Sequence, residues 1–204
     1  MTRITIYLFF CILLVSCTPS STGGLDSTPM SCGPSYLNCP NFSLSTNDRD
    51  PIEPIEPNCP SLGRFESDME FRFCRCDYEN YVESLYSYAA CIEKRRNQEA
   101  MQRYNAAVEV YNCRLERDDC KLLRPGISSL NDNVPDYPFC VTGYGVSHTR
   151  FIDAIEAEEC AIYIESFEAE LEKWAAEKSK AALRNAERNA DEAIARFNCH
   201  AQGN

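Results

Sequence analysis

Residues 77–123, DYENYVESLYSYAACIEKRRNQEAMQRYNAAVEVYNCRLERDDCKLL, contain neither proline nor glycine. Within them Tyr78, Tyr81, Leu85, Tyr88 and Ile92 step by three and four, as do Met101, Tyr104, Val108, Tyr111 and Leu115. That is the spacing of one face of a long helix. Arg124-Pro-Gly126 stops the run. A second stretch without either breaker extends from about 148–151 to Asn198, with Ile164, Phe167, Leu171 and Trp174 as one stripe and Leu183, Ala186, Ala190, Ile194 and Phe197 as another. Residues 125–147 between them hold three prolines, three glycines and Cys140, a connecting loop.

The two stretches resemble each other. Tyr81-Val-Glu-Ser-Leu85 matches Tyr163-Ile-Glu-Ser-Phe167, and Ala107-Val-Glu-Val-Tyr-Asn-Cys113 matches Ala193-Ile-Ala-Arg-Phe-Asn-Cys199, as an internal duplication would leave them. Laid antiparallel, the helices set Cys76 opposite Cys199 and Cys113 opposite Cys160. The apolar stripes lapse over 93–100 in one helix and 175–182 in the other, and these lapses face each other in the same register. The expected fold is therefore all-α: a long antiparallel hairpin over 63–204, its helices about 55 Å long, apolar near both ends and polar at the waist. Expected disulfides are Cys76–Cys199 and Cys113–Cys160 across the hairpin and Cys120–Cys140 from helix to loop. A hairpin of two helices buries little, so cross-links or self-association must support it. The tyrosine-rich face of Tyr78, Tyr81, Tyr86, Tyr88, Tyr104 and Tyr111 is a place for a homodimer contact, or else packs in the seam.

Ahead of the hairpin, Arg3 precedes an apolar run from Ile4 to Val15, too short to span a bilayer and of signal-peptide form. Its end, Leu14-Val15-Ser16-Cys17, resembles the lipobox of bacterial lipoproteins over residues 1–17. The resemblance implies cleavage after residue 16, an acylated Cys17 as membrane anchor, and, because Thr18 and not Asp follows, the outer membrane of a cell envelope. Residues 17–62 are rich in Ser, Thr, Pro and Asn and read as a flexible spacer. In it Pro51-Ile-Glu-Pro-Ile-Glu-Pro57 favours polyproline II.

Thirteen cysteines in 204 residues point to an oxidising compartment. Setting aside Cys11 in the signal and Cys17 leaves eleven, an odd number. The formal charge of −11 argues against a nucleic-acid partner, which needs a basic face. Nine acids between Asp153 and Glu177, against Lys173 and no other cation, read as a solvated helix surface. In the expected register Cys74, Cys76, Cys199 and His200 gather at one end, where thiolates and imidazole could hold zinc or copper(I). No Gly-x-Ser-x-Gly elbow, phosphate loop or metalloprotease histidine pair occurs. The expectation is a non-enzymatic envelope lipoprotein without a cofactor, a structural or protein-interaction module; the alternative is a metal-binding or thiol-active protein built on that Cys/His set.

Overall fold

The computed structural model describes residues 51–59, 65–124, 133–143 and 149–202. Two long helices, α1 (Asp68–Glu116) and α3 (Ala154–Ala201), pack antiparallel and are joined through a connection carrying the single turn α2 (Phe139–Thr142). With 49 and 48 residues, each long helix extends about 70 Å. Cys17 and most of the 17–62 spacer lie outside the described residues.

Both helices start on the same device. Ser67 caps α1 by accepting from the Glu70 amide at 3.1 Å, and Glu70 reaches back to the Glu66 amide at 2.7 Å. Asp153 caps α3 through the Glu156 amide at 2.8 Å, and Glu156 reaches back to the Ile152 amide at 2.8 Å. These are variants of the capping box, and each satisfies one backbone donor of the first turn together with the amide of the residue before the cap. They place the start of α1 before the apolar stripe begins, which is why the helix is longer than its stripe. At its other end α1 stops at Glu116, short of the Leu123 that the absence of breakers suggests. Cys120 is bonded to Cys113 with Cα atoms 5.8 Å apart, whereas seven residues of continuous helix would separate them by about 10.5 Å.

The expected register holds. Tyr78 stacks on Phe197 near one end, Arg96 lies over Trp174 near the middle, and Arg114 pairs with Glu156 near the other end. Two apolar clusters result. One, toward the connection, is built on Ala107, Val110, Ile164, Phe167, Leu171 and Trp174; the other, toward the termini, on Tyr78, Tyr81, Leu85, Ala190 and Ala193. The duplicated positions fall in corresponding places: Ala107 and Ala193 are wholly buried, one in each cluster, and so nearly are Phe167 and Leu85. Each such fully buried large side chain contributes roughly 1.5–3 kcal/mol. Met101, Leu115 and Leu183, members of the sequence stripes, are exposed. A straight helix of 3.6 residues per turn carries any fixed three-four pattern slowly off the seam over this length.

The waist is polar, as its pattern indicated, and it is also buried. Arg95, Arg96 and Glu99 are all under a tenth exposed. The Glu99 carboxylate meets Arg96 at 3.1 Å and Arg103 at 3.4 Å. Arg96 lies 5.7 Å from the Trp174 ring centroid and Arg103 lies 5.5 Å from that of Tyr137. The planar guanidinium can stack and pair at once, so these side chains bridge the two apolar clusters.

Residues 51–59, expected as part of a flexible spacer, lie along the hairpin. The Asn189 amide donates to Glu53 at 3.1 Å, Glu56 pairs with Arg196 at 2.6 Å, and Cys59 is bonded to Cys74. Pro51, Pro54 and Pro57 are half-buried against the helices while Ile52 and Ile55 point outward, 86% and 88% exposed. A three-residue repeat on an extended chain of three residues per turn puts each residue type on its own edge, and here the proline edge faces the protein. The hairpin unit accordingly includes this segment.

The tyrosines pack within the chain. Tyr78 and Tyr81 are buried in the terminal cluster with Tyr86 against it, and Tyr104 and Tyr111 pack on the other cluster. Five of the six tyrosines of that face thus pack in or against the seam. The phenols of Tyr78, Tyr81, Tyr86, Tyr104 and Tyr137 titrate above the ordinary 10.0, burial being the largest cause in each. Glu56 beside Tyr78, Glu187 beside Tyr86 and Glu168 beside Tyr104 add to it. A folded state that holds a phenolic proton more tightly than the unfolded chain keeps its stability below pH 10 and loses it as pH rises through the folded values. Stability should therefore be level at neutral to mildly alkaline pH and fall steeply above about pH 10, with most tyrosinate absorbance appearing together with loss of helical circular dichroism. Tyrosinate formation complete before any loss of helix would contradict the seam placement.

Candidate functional site

The connection end of the hairpin carries two disulfides, Cys113–Cys120 and Cys140–Cys160, and it is organised on Arg114. This side chain is fully buried. Its guanidinium donates to the Thr149 carbonyl at 2.7 Å, to the Cys140 carbonyl, and to Glu156 at 2.9 Å, and it lies 4.1 Å from the Phe151 ring centroid. The Phe151 amide donates to the Arg114 carbonyl at 3.2 Å. One residue of α1 thereby holds the chain entering α3, the capping box of α3 and the α2 turn.

The cysteines here pair differently from expectation. Cys113 is bonded to Cys120 and Cys140 to Cys160, in place of Cys113–Cys160 and Cys120–Cys140. The reason is angular. Arg114 takes the inward position on α1, so Cys113 is turned about 100° off the seam and meets the chain as it leaves the helix. Cys160 does face inward, 1% exposed, and the α2 turn brings Cys140 to it. Gly143 ends that turn at φ +76°, where a side chain would also press on Leu122 at 2.9 Å. The Leu123 amide then donates to the Val141 carbonyl at 2.9 Å, tying the two strands of the connection together.

Around this locked framework stands a set of exposed apolar side chains. Phe139 and Tyr163 contact edge to face at 5.2 Å between centroids, and both are about half exposed. Ile152, Ile155 and Ile162 are 73%, 67% and 60% exposed on the outer line of α3 and just before it. Glu158, Glu159 and Glu165 are exposed among them. None of these apolar residues belonged to a stripe in the sequence, because the stripes follow the buried face; Ile155 and Ile162 are recognisable afterwards as a seven-residue repeat on the opposite face.

The opposite end carries the Cys/His set proposed as a metal alternative, and the structure takes it apart. Cys74 is bonded to Cys59. Cys76 and Cys91 are each disulfide-bonded as well. Cys199 is exposed in the last turn of α3 and takes no part in the Cys76 bridge. Cys76 and Cys199 are each two residues from the seam pair Tyr78 and Phe197, which turns both about 200° away from the seam. Two of the four proposed ligands are thus consumed in disulfides, and among the described residues no group of three or more metal-ligating side chains is assembled. What fills this end is aromatic: Phe65, Phe71, Tyr78 and Phe197 stack with centroids 5.1–5.5 Å apart.

No helix among the described residues is long and apolar enough to cross a membrane. No protein-family model, curated protein or solved structure matches this chain.

Non-reducing peptide mapping should recover Cys113 linked to Cys120 and Cys140 linked to Cys160; a Cys113–Cys160 peptide would contradict the framework. Arg114→Met should cost about 2–4 kcal/mol in denaturant unfolding, because three acceptors lose their donor in a buried setting. Glu156→Gln, at a side chain one third exposed, should cost about 1 kcal/mol or less.

Proposed function

We propose that this chain is a non-enzymatic, lipid-anchored cell-envelope protein whose hairpin is a rigid rod that presents its connection end to another envelope protein. The exposed apolar set at that end carries the reading. Phe139, Ile155, Ile162 and Tyr163 are held on a backbone fixed by two disulfides and by Arg114, so a partner would meet a surface that loses little conformational freedom on binding. Large exposed apolar side chains clustered among polar ones mark protein interaction sites. The exposed Glu158, Glu159 and Glu165 around them fit a partner whose apolar groove is rimmed by basic residues.

The anchor rests on the lipobox-like run Leu14-Val15-Ser16-Cys17. A mature protein in which Cys17 is instead disulfide-bonded would lack its anchor.

In cells carrying a photo-cross-linking residue at position 162, irradiation should give one adduct of discrete mass in the membrane fraction, lost on Phe139→Asp. The Cys17→Ala protein should leave the detergent phase and lose the adduct with it. An adduct of twice the chain's own mass would make the tip a contact between two copies, and the absence of any adduct would overturn the interaction reading.

A further inference from the structure

The exposed line that Ile155 and Ile162 begin on α3 does not stop at the connection end. Seven-residue steps carry it through Ala169 and Ala176 to Leu183, and all five side chains are exposed. The next step, Ala190, is buried in the terminal cluster, so the line ends there. A seven-residue apolar repeat of this kind is the seam of a left-handed helix pair, and it runs about 42 Å along α3. Among the described residues α1 packs on another face of α3, so this second seam is left to solvent.

The charge beside the line changes sign along it. Between 153 and 170 the exposed side chains include five acids and no cation. Between 171 and 188 they include four cations, Lys173, Lys180, Arg184 and Arg188, against three acids. A second α3 laid parallel would set acid against acid, and so would two connection ends meeting tip to tip. Laid antiparallel, the acidic half of each copy lies on the cationic half of the other, and charge complementarity selects that direction. The register follows from the line itself. Its five positions are symmetric about 169, so an antiparallel pair centred there sets Ile155 against Leu183 of the second copy, Ile162 against Ala176, and Ala169 against its own equivalent. Large side chains meet at the two ends, and in the middle a methyl group on each side lets the helix axes approach to about 8 Å. On one edge Glu159 comes beside Lys180 of the other copy, twice per dimer; on the other edge Glu165 comes beside Glu172. Exposed charge pairs are individually weak, so the apolar line carries the affinity and the charges set the direction.

We infer that the outer line of α3 is the contact of a two-fold symmetric homodimer, formed antiparallel on Ile155, Ile162, Ala169, Ala176 and Leu183. The inference rests on the reading of the connection end as an interaction surface and names its partner: the apolar surface with a basic rim that fits there is the cationic half of α3 in a second copy. Each copy gives the other the same patch, so the contact closes on itself and makes dimers, not filaments.

Two differently tagged full-length chains, one carrying a photo-cross-linking residue at position 162, would be made in the same cells. Irradiation should give an adduct of twice the chain's mass that contains both tags, with position 162 joined to residues 172–180 of the other copy. Ala169→Glu, which sets two carboxylates on the two-fold axis from an exposed position, should lower the yield at least about tenfold with helical circular dichroism unchanged. Glu159→Lys and Lys180→Glu should each lower it about threefold, and the two exchanges in one chain should restore it. Should Ala169→Glu fail to fold, this exchange decides the matter. A join to any other part of the second copy, or a double exchange that restores nothing, would overturn the antiparallel dimer. An adduct with a different protein would also overturn it and leave the connection end standing as an interaction surface. No adduct at all would overturn that surface and the dimer with it.

Discussion

A single buried guanidinium determines how one end of this molecule is assembled. Arg114 is wholly inside, and its donors go to two backbone carbonyls from different parts of the connection and to the carboxylate that also caps α3. A charge taken out of water is tolerated only where nearly every donor is matched. The last turn of α1, the α2 turn and the first turn of α3 must therefore sit in one arrangement for Arg114 to be inside at all. The two disulfides of this end secure an arrangement that the arginine selects. Cys113 turns outward because its neighbour turns inward, and Cys160 finds Cys140 because the Arg114 bond to the Cys140 carbonyl holds the α2 turn against α3.

The middle of the rod obeys the same rule under a different composition. Two antiparallel helices of this length make one seam, which is too little apolar surface to close without gaps, and the two clusters stop short of each other. Arginines with one shared glutamate and two aromatic faces bridge them. The arrangement keeps the hairpin continuous while concentrating positive charge at its waist in an otherwise acidic protein. It also leaves a recess, because Ala182 and Ala186 are too small to fill the space beside Leu85 and Ile92. The terminal end is finished by other means, an aromatic stack and a proline edge laid along the helices and fixed by Cys59–Cys74.

The register of the hairpin was legible, though one of the two features used to read it was misassigned. The apolar lapses at 93–100 and 175–182 do face each other, and Tyr78 does meet Phe197. The cysteines that frame the helices do not bridge them, because a spacing that brings two residues to the same height says nothing about their angle around the helix. Cys76 and Cys199 share a height and point away from the seam; Cys113 and Cys160 share a height and point in different directions. The capping boxes Ser67-Asp-Met-Glu70 and Asp153-Ala-Ile-Glu156 were in plain view as helix-start signals and would have set both boundaries closer than the apolar stripes did.

The sequence by itself determined that the chain is helical, that it folds back once, and at what register, since these follow from periodicity and the placement of breakers, which are local properties that a one-dimensional pattern contains. It also carries the short run Leu14-Val15-Ser16-Cys17, on which the proposed lipid anchor rests. Only the tertiary structure decided which cysteines pair, that Arg114 is buried, that the Pro-Ile-Glu segment lies on the helices, and that apolar residues collect at the connection end. Each of these depends on the direction a side chain takes around a helix axis relative to a second element. That angle is set by packing, where a single inward arginine can turn its neighbouring cysteine out.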